Sequence, residues 1–171
     1  MSELSHLDSE GRAQMVDVSA KAITRRVAEA SCRVLMSRAT LDRLDRLPKG
    51  DAVAVARIAG IQGAKRAADL VPLAHPLPLD QVEIEIVPED GDHSDPERGA
   101  VRVRSRVVTT ARTGAEIEAL AACSTAALAL YDMVKAVERE AVITDLRLEH
   151  KSGGRSGTYS READSPEGER P

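Results

Sequence analysis

Apolar and polar residues alternate in three stretches of the chain, and this period of two predicts β-strands with one buried face. The stretches cover about residues 28–36, 82–86 and 101–107, and a further strand is predicted over 142–149. The first stretch contains several alanines, which have a low preference for strands, so a helix is the alternative there. In the second and third, exposed glutamates and arginines would face each other, which favours an antiparallel pair.

Two helices between these strands are predicted from their capping residues. Asp51 follows a Pro-Lys-Gly break and is a suitable N-cap for a helix over about 52–69. Thr113 and Glu116 match a capping box for a helix that runs to about Glu138. Helical spacing predicts that some residues of each helix form one stripe, that is, lie along one face. These are Ala54, Ile58, Ile61 and Lys65 in the first helix and Ile117, Ala121, Ser124, Leu128 and Tyr131 in the second.

The elements follow in the order strand, helical segment, strand, strand, helix, strand, which is the order of a split βαβ unit. The fold class predicted is therefore α+β, a ferredoxin-like split βαβ sandwich with an antiparallel sheet and an additional short helix. That short helix would begin at a Thr40 cap and end near Leu47. The open face of such a sheet must be covered by another subunit or by extra helices, and another subunit is predicted because the additional helix is short. We expect a single domain over 1–160 and a flexible polar tail over 161–171.

Composition excludes some classes of function. The chain has 171 residues, two Tyr, no Trp and no Phe, so it lacks the aromatic side chains on which an RNA-binding sheet stacks bases. The net charge of -4 also argues against a nucleic-acid partner. The segment 88–98 has five acidic residues and one arginine, and 161–171 has four acidic residues and two arginines, which leaves +2 for the rest. An anionic small ligand therefore stays compatible with the charge.

The cysteines and histidines predict neither a disulfide framework nor a metal centre. Cys32 and Cys123 are too few for a disulfide scaffold or a zinc module. The histidines are dispersed, at His6, His75, His93 and His150. No apolar run approaches the ~20 residues of a membrane span, and the first residues do not have the form of a signal peptide. A cytoplasmic protein without a membrane partner is expected.

Two loops carry candidate chemical groups. His75 lies among three prolines, and such a stiff loop can aim an imidazole, although a histidine at a surface turn is the alternative. Lys49 lies next to the predicted helix start at Asp51, where backbone N–H groups favour a phosphate. An ordinary solvated lysine is the alternative there.

The second long helix carries charged residues near both ends. Asp132 and Lys135 are three residues apart and therefore neighbours, either as site groups or as a surface ion pair. Glu118 and Asp132 are separated by ~21 Å at 1.5 Å per residue. If both act, the ligand is extended or two subunits share a site. After the last strand, residues 151–157 combine cations with glycines, which suits a phosphate clamp or a flexible tail.

Seven motifs in a fixed order resemble those of the cyclic pyranopterin monophosphate synthase family, which acts in molybdenum cofactor biosynthesis. The similarity covers about residues 3–160. The motifs are MVDVSAK (15–21), KGD (49–51), ARIAGIQGAKR (56–66), LVPLAHPL (70–77), TGAEIEAL (113–120), YDMVKAV (131–137) and KSGG (151–154). The resemblance implies that 3′,8-cyclo-7,8-dihydro-GTP is converted to cyclic pyranopterin monophosphate, with release of diphosphate. It also implies a ferredoxin-like fold and a homohexamer, a trimer of dimers with sites between subunits.

The resemblance also assigns residues. It places the catalytic groups at Asp132, Lys49 and Lys135. It places the substrate-binding groups at Leu73, Ala74, His75, Glu116, Ile117, Glu118 and Lys151. No cofactor is expected, apart from Mg²⁺ that could accompany the triphosphate. Ala74 stands where many members have cysteine, Ile117 where many have methionine, and Arg155 where lysine is common.

Two other classes of function are compatible with parts of the sequence. A ferredoxin-like module could bind a nucleotide without catalysis and regulate a partner. The separated charged motifs favour an enzyme over such a module, because a binding protein does not need them all. An RNA-binding sheet domain is the third class, and the missing aromatic residues argue against it.

Overall fold

The computed structural model describes residues 10–90, 97–155 and 157–161. Most of the predicted polar tail, the tip of the acidic segment, His6 and His93 lie outside the described residues. The elements are β1 (Thr24–Ser37), α1 (Arg38–Leu41), a 3-10 turn (Leu44–Arg46), α2 (Ala52–Lys65), α3 (Ala67–Leu70), β2 (Leu79–Asp90), β3 (Arg98–Ala111), α4 (Glu116–Val134), β4 (Val142–Ser152) and β5 (Tyr159–Ser160).

The sheet has five antiparallel strands in the order β2-β3-β1-β4-β5. The first four strands have the topology expected of the ferredoxin-like split βαβ sandwich, so the predicted fold class is confirmed. Strand β5 was not predicted, because two residues carry no alternation that can be read from sequence. Helices α2 and α4 pack against each other and cover one face of the sheet. On the other face, charged side chains such as Arg104 and Arg106 line a groove.

The alternation in residues 28–36 belongs to a strand, and the helical alternative for this stretch is wrong. Ala28, Cys32 and Val34 are fully buried under the helices, whereas Glu29 and Arg33 on the other face are partly exposed. Burial against the helices thus outweighs the low strand preference of alanine. The predicted pairing of acids and bases is also confirmed, since the register of β2 and β3 sets Glu83 opposite Arg106 and Glu85 opposite Arg104.

The stripes predicted for α2 and α4 are wrong. Ile58 and Leu128, which were expected to be buried, are 64% and 59% exposed. The buried face of α2 consists of small residues instead, namely Ala52, Ala56, Gly60, Gly63 and Ala64. In α4 small residues from Ala119 to Ala127 form the middle of the buried face, and Leu130, Met133 and Val134 extend it to the carboxyl end. The two helices approach closely, because a Cβ on Gly63 would lie 2.8 Å from the Ala121 carbonyl oxygen. Close approach, rather than large apolar side chains, therefore determines which faces pack.

Some predicted helix ends are also corrected. Ser37, not Thr40, caps α1, and its hydroxyl accepts a hydrogen bond from the Thr40 N–H. Asp51 caps α2 as predicted, through the Ala54 N–H, but that helix ends at Lys65. The capping box of Thr113 is not formed, since no side chain caps α4. Helix α4 ends at Val134, four residues before the predicted end.

Helix α4 has the length and hydropathy of a membrane-spanning helix, with 19 residues and a mean hydropathy of 1.4. Many core helices of globular proteins have the same properties. In this chain α4 packs on β1, β3, β4 and α2, and its fully buried residues include Leu130 and Val134. The apolar character of α4 is therefore accounted for by the core that it fills.

Replacing Gly63 by alanine is expected to lower the free energy of unfolding by about 1–2 kcal/mol. The added methyl group would lie 2.5 Å from the Thr125 Oγ1 and force the two helices apart. The matched control is Gly60→Ala, since both changes gain about 1 kcal/mol of helix propensity. At Gly60 the methyl group meets the movable Ile84 side chain at 3.0 Å and the Ala122 carbonyl oxygen at 3.1 Å, so this contact is looser than the one at Gly63. Urea denaturation measures both variants, and equal stability of the two would contradict the proposed close packing at Gly63.

Candidate active site

A cluster of three charged side chains lies at the carboxyl end of α4. The Lys49 Nζ donates hydrogen bonds to the Asp132 Oδ2 at 2.9 Å and to the Asp132 carbonyl oxygen at 2.6 Å. The Lys135 Nζ lies 2.7 Å from the other carboxylate oxygen of Asp132. We call these three residues the lysine–aspartate cluster. The structure thus brings together the three residues that were expected to be catalytic.

Local backbone structure positions each member of the lysine–aspartate cluster. Asp132 lies in the last turn of α4, and Lys135 is the C-cap of that helix. Lys49 lies in a turn closed by a hydrogen bond of 3.0 Å from the Gly50 N–H to the Leu47 carbonyl. Gly50 has a φ of +99°, which residues with a side chain rarely adopt. The turn therefore directs Lys49 towards the end of α4.

Asp132 and Lys135 are both charged throughout the neutral pH range. The hydrogen bond from Lys135, followed by that from Lys49, lowers the pKa of Asp132 to about 2. The same hydrogen bond to Asp132 raises the pKa of Lys135 above its usual value. A lysine that acts as a base near neutral pH needs a lowered pKa. In this arrangement Lys135 is instead suited to donate a proton or to stabilise negative charge.

A second group of residues lines a cavity of about 380 Å³ at the amino end of α4. Its walls include six of the seven expected substrate-binding residues, namely Leu73, Ala74, His75, Glu116, Ile117 and Glu118. The Nε2 of His75 lies 2.9 Å from the Val16 carbonyl oxygen, so this nitrogen carries the proton. The stiff proline-containing loop thus aims His75 into a cavity, as predicted.

Glu118 is the buried titratable group of this cavity. It is only 4% exposed, and this burial raises the pKa of its carboxyl to about 7, with a further contribution from the negative charge of Glu116. A carboxyl with such a pKa can take up and release protons near neutral pH. Sequence reasoning placed Glu118 in the site, but the burial of the side chain is visible only in the fold.

The unusual pKa of Glu118 predicts a pH-dependent stability. Because the folded protein holds this proton up to about pH 7 and the unfolded chain loses it near 4.5, stability falls as the pH rises between these values. The expected decrease in the free energy of unfolding is about 3 kcal/mol at 1.36 kcal/mol per pKa unit. Urea denaturation at a series of pH values measures it. Glu118→Gln should remove this decrease, and an unchanged pH profile of that variant would contradict the assignment.

A larger cavity of about 790 Å³ adjoins the first, and four cationic residues lie in its wall. These residues are Lys21, Arg26, Arg112 and Arg155. The two cavities share Lys21, Thr113, Gly114 and Glu116. We call the larger one the cationic cavity. Its charge suits a ligand with several phosphate groups.

Backbone oxygens orient two of these cations. Arg26 donates hydrogen bonds from Nε to the Ala111 carbonyl at 3.2 Å and from Nη2 to the Arg112 carbonyl at 3.1 Å. Arg112 Nε in turn donates to the Lys21 carbonyl at 3.1 Å. Sequence reasoning missed Lys21, Arg26 and Arg112 as site residues. Lys21 ends the motif MVDVSAK and Arg112 directly precedes TGAEIEAL, so their position next to motifs was the signal.

Lys151 forms an ion pair with Glu116, the carboxylate that lines both cavities. Its Nζ lies 3.0 Å from the Glu116 Oε1, and both side chains are 30% exposed. Lys151 lies near the end of β4, where it pairs with Ala28 of β1. The sheet therefore fixes this ammonium beside the carboxylate that both cavities share. The expected substrate-binding residues thus form one connected region.

The lysine–aspartate cluster does not join that region within one chain. Asp132 and Glu118 lie fourteen residues apart on the straight helix α4, which corresponds to about 21 Å. None of the three residues of the cluster lines either cavity. Within one copy, the expected site residues therefore lie in two separate groups, one at each end of α4, and we call these two groups half-sites. Among the described residues, no group of three or more His, Cys, Asp or Glu side chains is arranged to hold a metal ion.

The fold and these cavities define a class, the ferredoxin-like α+β proteins with a binding site for an anionic small molecule. Comparison with known proteins then identifies the family. The model of the MoaC family matches residues 15–154, and the chain belongs to this family.

Several curated relatives are similar over nearly their whole length. The cyclic pyranopterin monophosphate synthase of Streptomyces griseus is 54% identical over 96% of this chain and 89% of the relative. The protein of that name from Dinoroseobacter shibae is 50% identical over 95% of this chain and its own full length. The one from Jannaschia sp. is 48% identical over the full length of both. The resemblance noted in the seven motifs is thereby confirmed.

Proposed function

We propose that this protein converts 3′,8-cyclo-7,8-dihydro-GTP to cyclic pyranopterin monophosphate with release of diphosphate, a phosphorus–oxygen lyase reaction of molybdenum cofactor biosynthesis. Family membership and the names of the relatives support this proposal. The observation that carries it is the joining of a cationic cavity to a pocket with a histidine and a glutamate. That pair of cavities suits a triphosphate linked to a polar ring system.

The two cavities divide the substrate between them. Lys21, Arg26 and Arg112 bind the phosphate groups in the cationic cavity, where their charges offset those of the triphosphate. His75 and Glu118 hold the purine-derived ring and the sugar in the smaller cavity, with Leu73, Ala74 and Ile117 as its other walls. Glu118, whose pKa is about 7, accepts or returns a proton during ring opening and reclosure. The proposal involves no resident cofactor, and Mg²⁺ enters it only as a companion that the triphosphate of the substrate could bring.

The lysine–aspartate cluster serves the cyclisation step. A sugar hydroxyl attacks the α-phosphorus, a new phosphorus–oxygen bond forms, and the bond to the diphosphate breaks. Lys135 and Lys49 stabilise the negative charge of the departing diphosphate and donate a proton to it. Asp132 holds both ammonium groups in place and stays ionised, since its pKa is about 2. The proton of the attacking hydroxyl passes to a carboxylate of the smaller cavity.

A complete site needs both half-sites, and a homo-oligomer supplies them. The amino end of α4 in one copy faces the carboxyl end of α4 in another, so that the lysine–aspartate cluster of one copy completes the cavities of the next. A hexamer built as a trimer of dimers provides such contacts in a closed symmetric form. The oligomer acts in the cytoplasm, where the substrate is formed from GTP.

The test is a turnover assay with the purified protein and the cyclised nucleotide. We expect one diphosphate for each cyclic pyranopterin monophosphate, with the product identified by mass spectrometry. Binding of the nucleotide without diphosphate release would contradict the proposal and support a regulatory nucleotide-binding module. A control with GTP in place of the cyclised substrate checks that diphosphate release depends on the fused ring.

A further inference from the structure

The chain folds back after β4 and forms a short segment that no site residue belongs to. Residues 157–161, which we call the C-terminal strap, contain β5 and run antiparallel to β4. In this pairing, Ser160 lies opposite His150 and Tyr159 lies opposite Lys151. The strap therefore pairs with the strand residue whose ammonium group contacts Glu116 at the junction of the two cavities.

Arg161 anchors the end of the strap by three contacts. Its N–H donates to the Glu149 carbonyl at 2.9 Å, and its Nε donates to the Leu148 carbonyl at 3.0 Å. The same Nε lies 3.5 Å from the Glu149 Oε2. The other carboxylate oxygen of Glu149 accepts hydrogen bonds from the Ser31 hydroxyl of β1 and from Arg147. The strap is thus fixed to the sheet through two strands.

Two residues that follow β4 form part of the wall of the cationic cavity. Gly154 and Arg155 line that cavity, whereas Glu149 and Arg161 do not. Gly153 and Gly154 have positive φ values of 93° and 77°, and a Cβ on Gly154 would lie 2.2 Å from the Arg26 Nη1. The wall therefore packs directly on a cation of the cavity. Gly153 and Gly154 continue directly from β4. The strap contacts this part of the wall through the Gly157 N–H, which lies 3.4 Å from the Gly154 carbonyl oxygen.

We propose that the C-terminal strap is a positioning element for the cationic cavity, and that Glu149 and Arg161 are positioning residues for diphosphate binding. By pairing with β4, the strap sets the distance of Gly154 and Arg155 from Arg26. This inference rests on the proposed function in one respect, namely that the cavity binds the phosphate groups of the substrate. Release of the strap widens the cavity and weakens the binding of phosphates, while the lysine–aspartate cluster remains intact.

The test uses the full chain with single substitutions and inorganic diphosphate as the probe, measured by calorimetry. For Arg161→Ala and for Glu149→Gln we expect the Kd of diphosphate to rise by about three- to tenfold, the range that one or two lost hydrogen bonds produce. In the turnover assay, KM should rise by a similar factor and kcat should stay within about twofold. Arg147→Ala is the matched control, since it removes a cation from Glu149 but leaves the strap contacts in place.

The outcomes separate this inference from the proposed function. If diphosphate binds equally well to the wild-type chain, Arg161→Ala and Arg147→Ala, the strap does not position the cavity and the inference is overturned. A fall in kcat and in thermal stability without a change in the Kd would also overturn it, because that pattern is a general structural effect. If the Kd rises as expected but the wild-type chain does not turn over the cyclised substrate, the proposed function fails and the positioning role stands.

Discussion

Replacing Asp132 by asparagine is expected to lower kcat by about 10²–10³-fold, the size of effect that loss of a charge-stabilising or proton-transfer group produces. The carboxylate of Asp132 accepts from Lys49 and from Lys135 on its two oxygens. An amide offers one oxygen and no charge, so one ammonium group loses its partner and the two lysines repel each other. The two lysines are then no longer held together in the arrangement that stabilises the departing diphosphate.

The fold should tolerate the Asp132→Asn substitution, because the side chain is 55% exposed and lies at the end of α4. The measurement is steady-state kinetics of diphosphate release, with thermal unfolding as a check of stability. Asp45→Asn is a suitable control, since Asp45 is an exposed carboxylate that pairs with the neighbouring Arg46. A kcat of Asp132→Asn within a few-fold of the wild-type value would remove the lysine–aspartate cluster from the mechanism.

Replacing Lys151 by alanine is expected to lower kcat/KM by about 10²-fold, as is typical when a charge-assisted contact to a phosphate or carboxylate is lost. Two effects combine in this variant. The junction of the cavities loses a cation, and the carboxylate of Glu116 loses its partner at 3.0 Å. The uncompensated charge of Glu116 then raises the pKa of Glu118 further, since Glu116 already raises it in the wild-type protein.

The pH dependence of activity distinguishes this account from a simple loss of binding. In Lys151→Ala, the limb of the kcat/KM profile that reports Glu118 should shift to higher pH than in the wild-type protein. Lys65→Ala, at the exposed end of α2, is the control for loss of a lysine elsewhere. A Lys151→Ala variant with normal kcat/KM, or with an unshifted profile, would contradict the role of Lys151 at the junction.

The strands could be predicted from the sequence, because a strand with one buried face has apolar and polar residues in alternation. The register of Glu83 with Arg106 could be anticipated for the same reason, since the charges project from the exposed face. The buried faces of the helices could not be predicted from the sequence. All buried residues of α2 and half of those in α4 are glycine or alanine, which do not stand out from their surroundings, whereas Ile58 and Leu128 are large, apolar and exposed.

The candidate site was predicted in its residues but not in its geometry. Spacing on one helix indicated that Asp132 and Lys135 are neighbours, and the fold adds Lys49 from a distant turn. The cationic cavity was not predicted. Arg26 lies in β1, and an arginine in a strand is commonly just an exposed residue of its polar face. Only the folded chain shows that the Ala111 and Arg112 carbonyls orient this side chain in the wall of the cationic cavity.

If each site combines the half-sites of two copies, complementation between inactive variants restores activity. Lys49→Ala disables one half-site and Glu118→Ala the other. The two variants are unfolded together and refolded as mixed oligomers. Some sites then combine an intact lysine–aspartate cluster from a Glu118→Ala copy with intact cavities from a Lys49→Ala copy. With random assortment, we expect about a quarter of the wild-type diphosphate release, because each site combines one half from each of two copies.

The control is a mixture of Lys49→Ala with Asp132→Asn, in which both variants carry a defect in the same half-site. We expect this mixture to stay as inactive as its components. Recovery of about a quarter of the activity in the first mixture and none in the second is the result that shared sites predict. No recovery in the first mixture, with both variants folded and assembled with each other, would place the complete site within one copy and contradict the account.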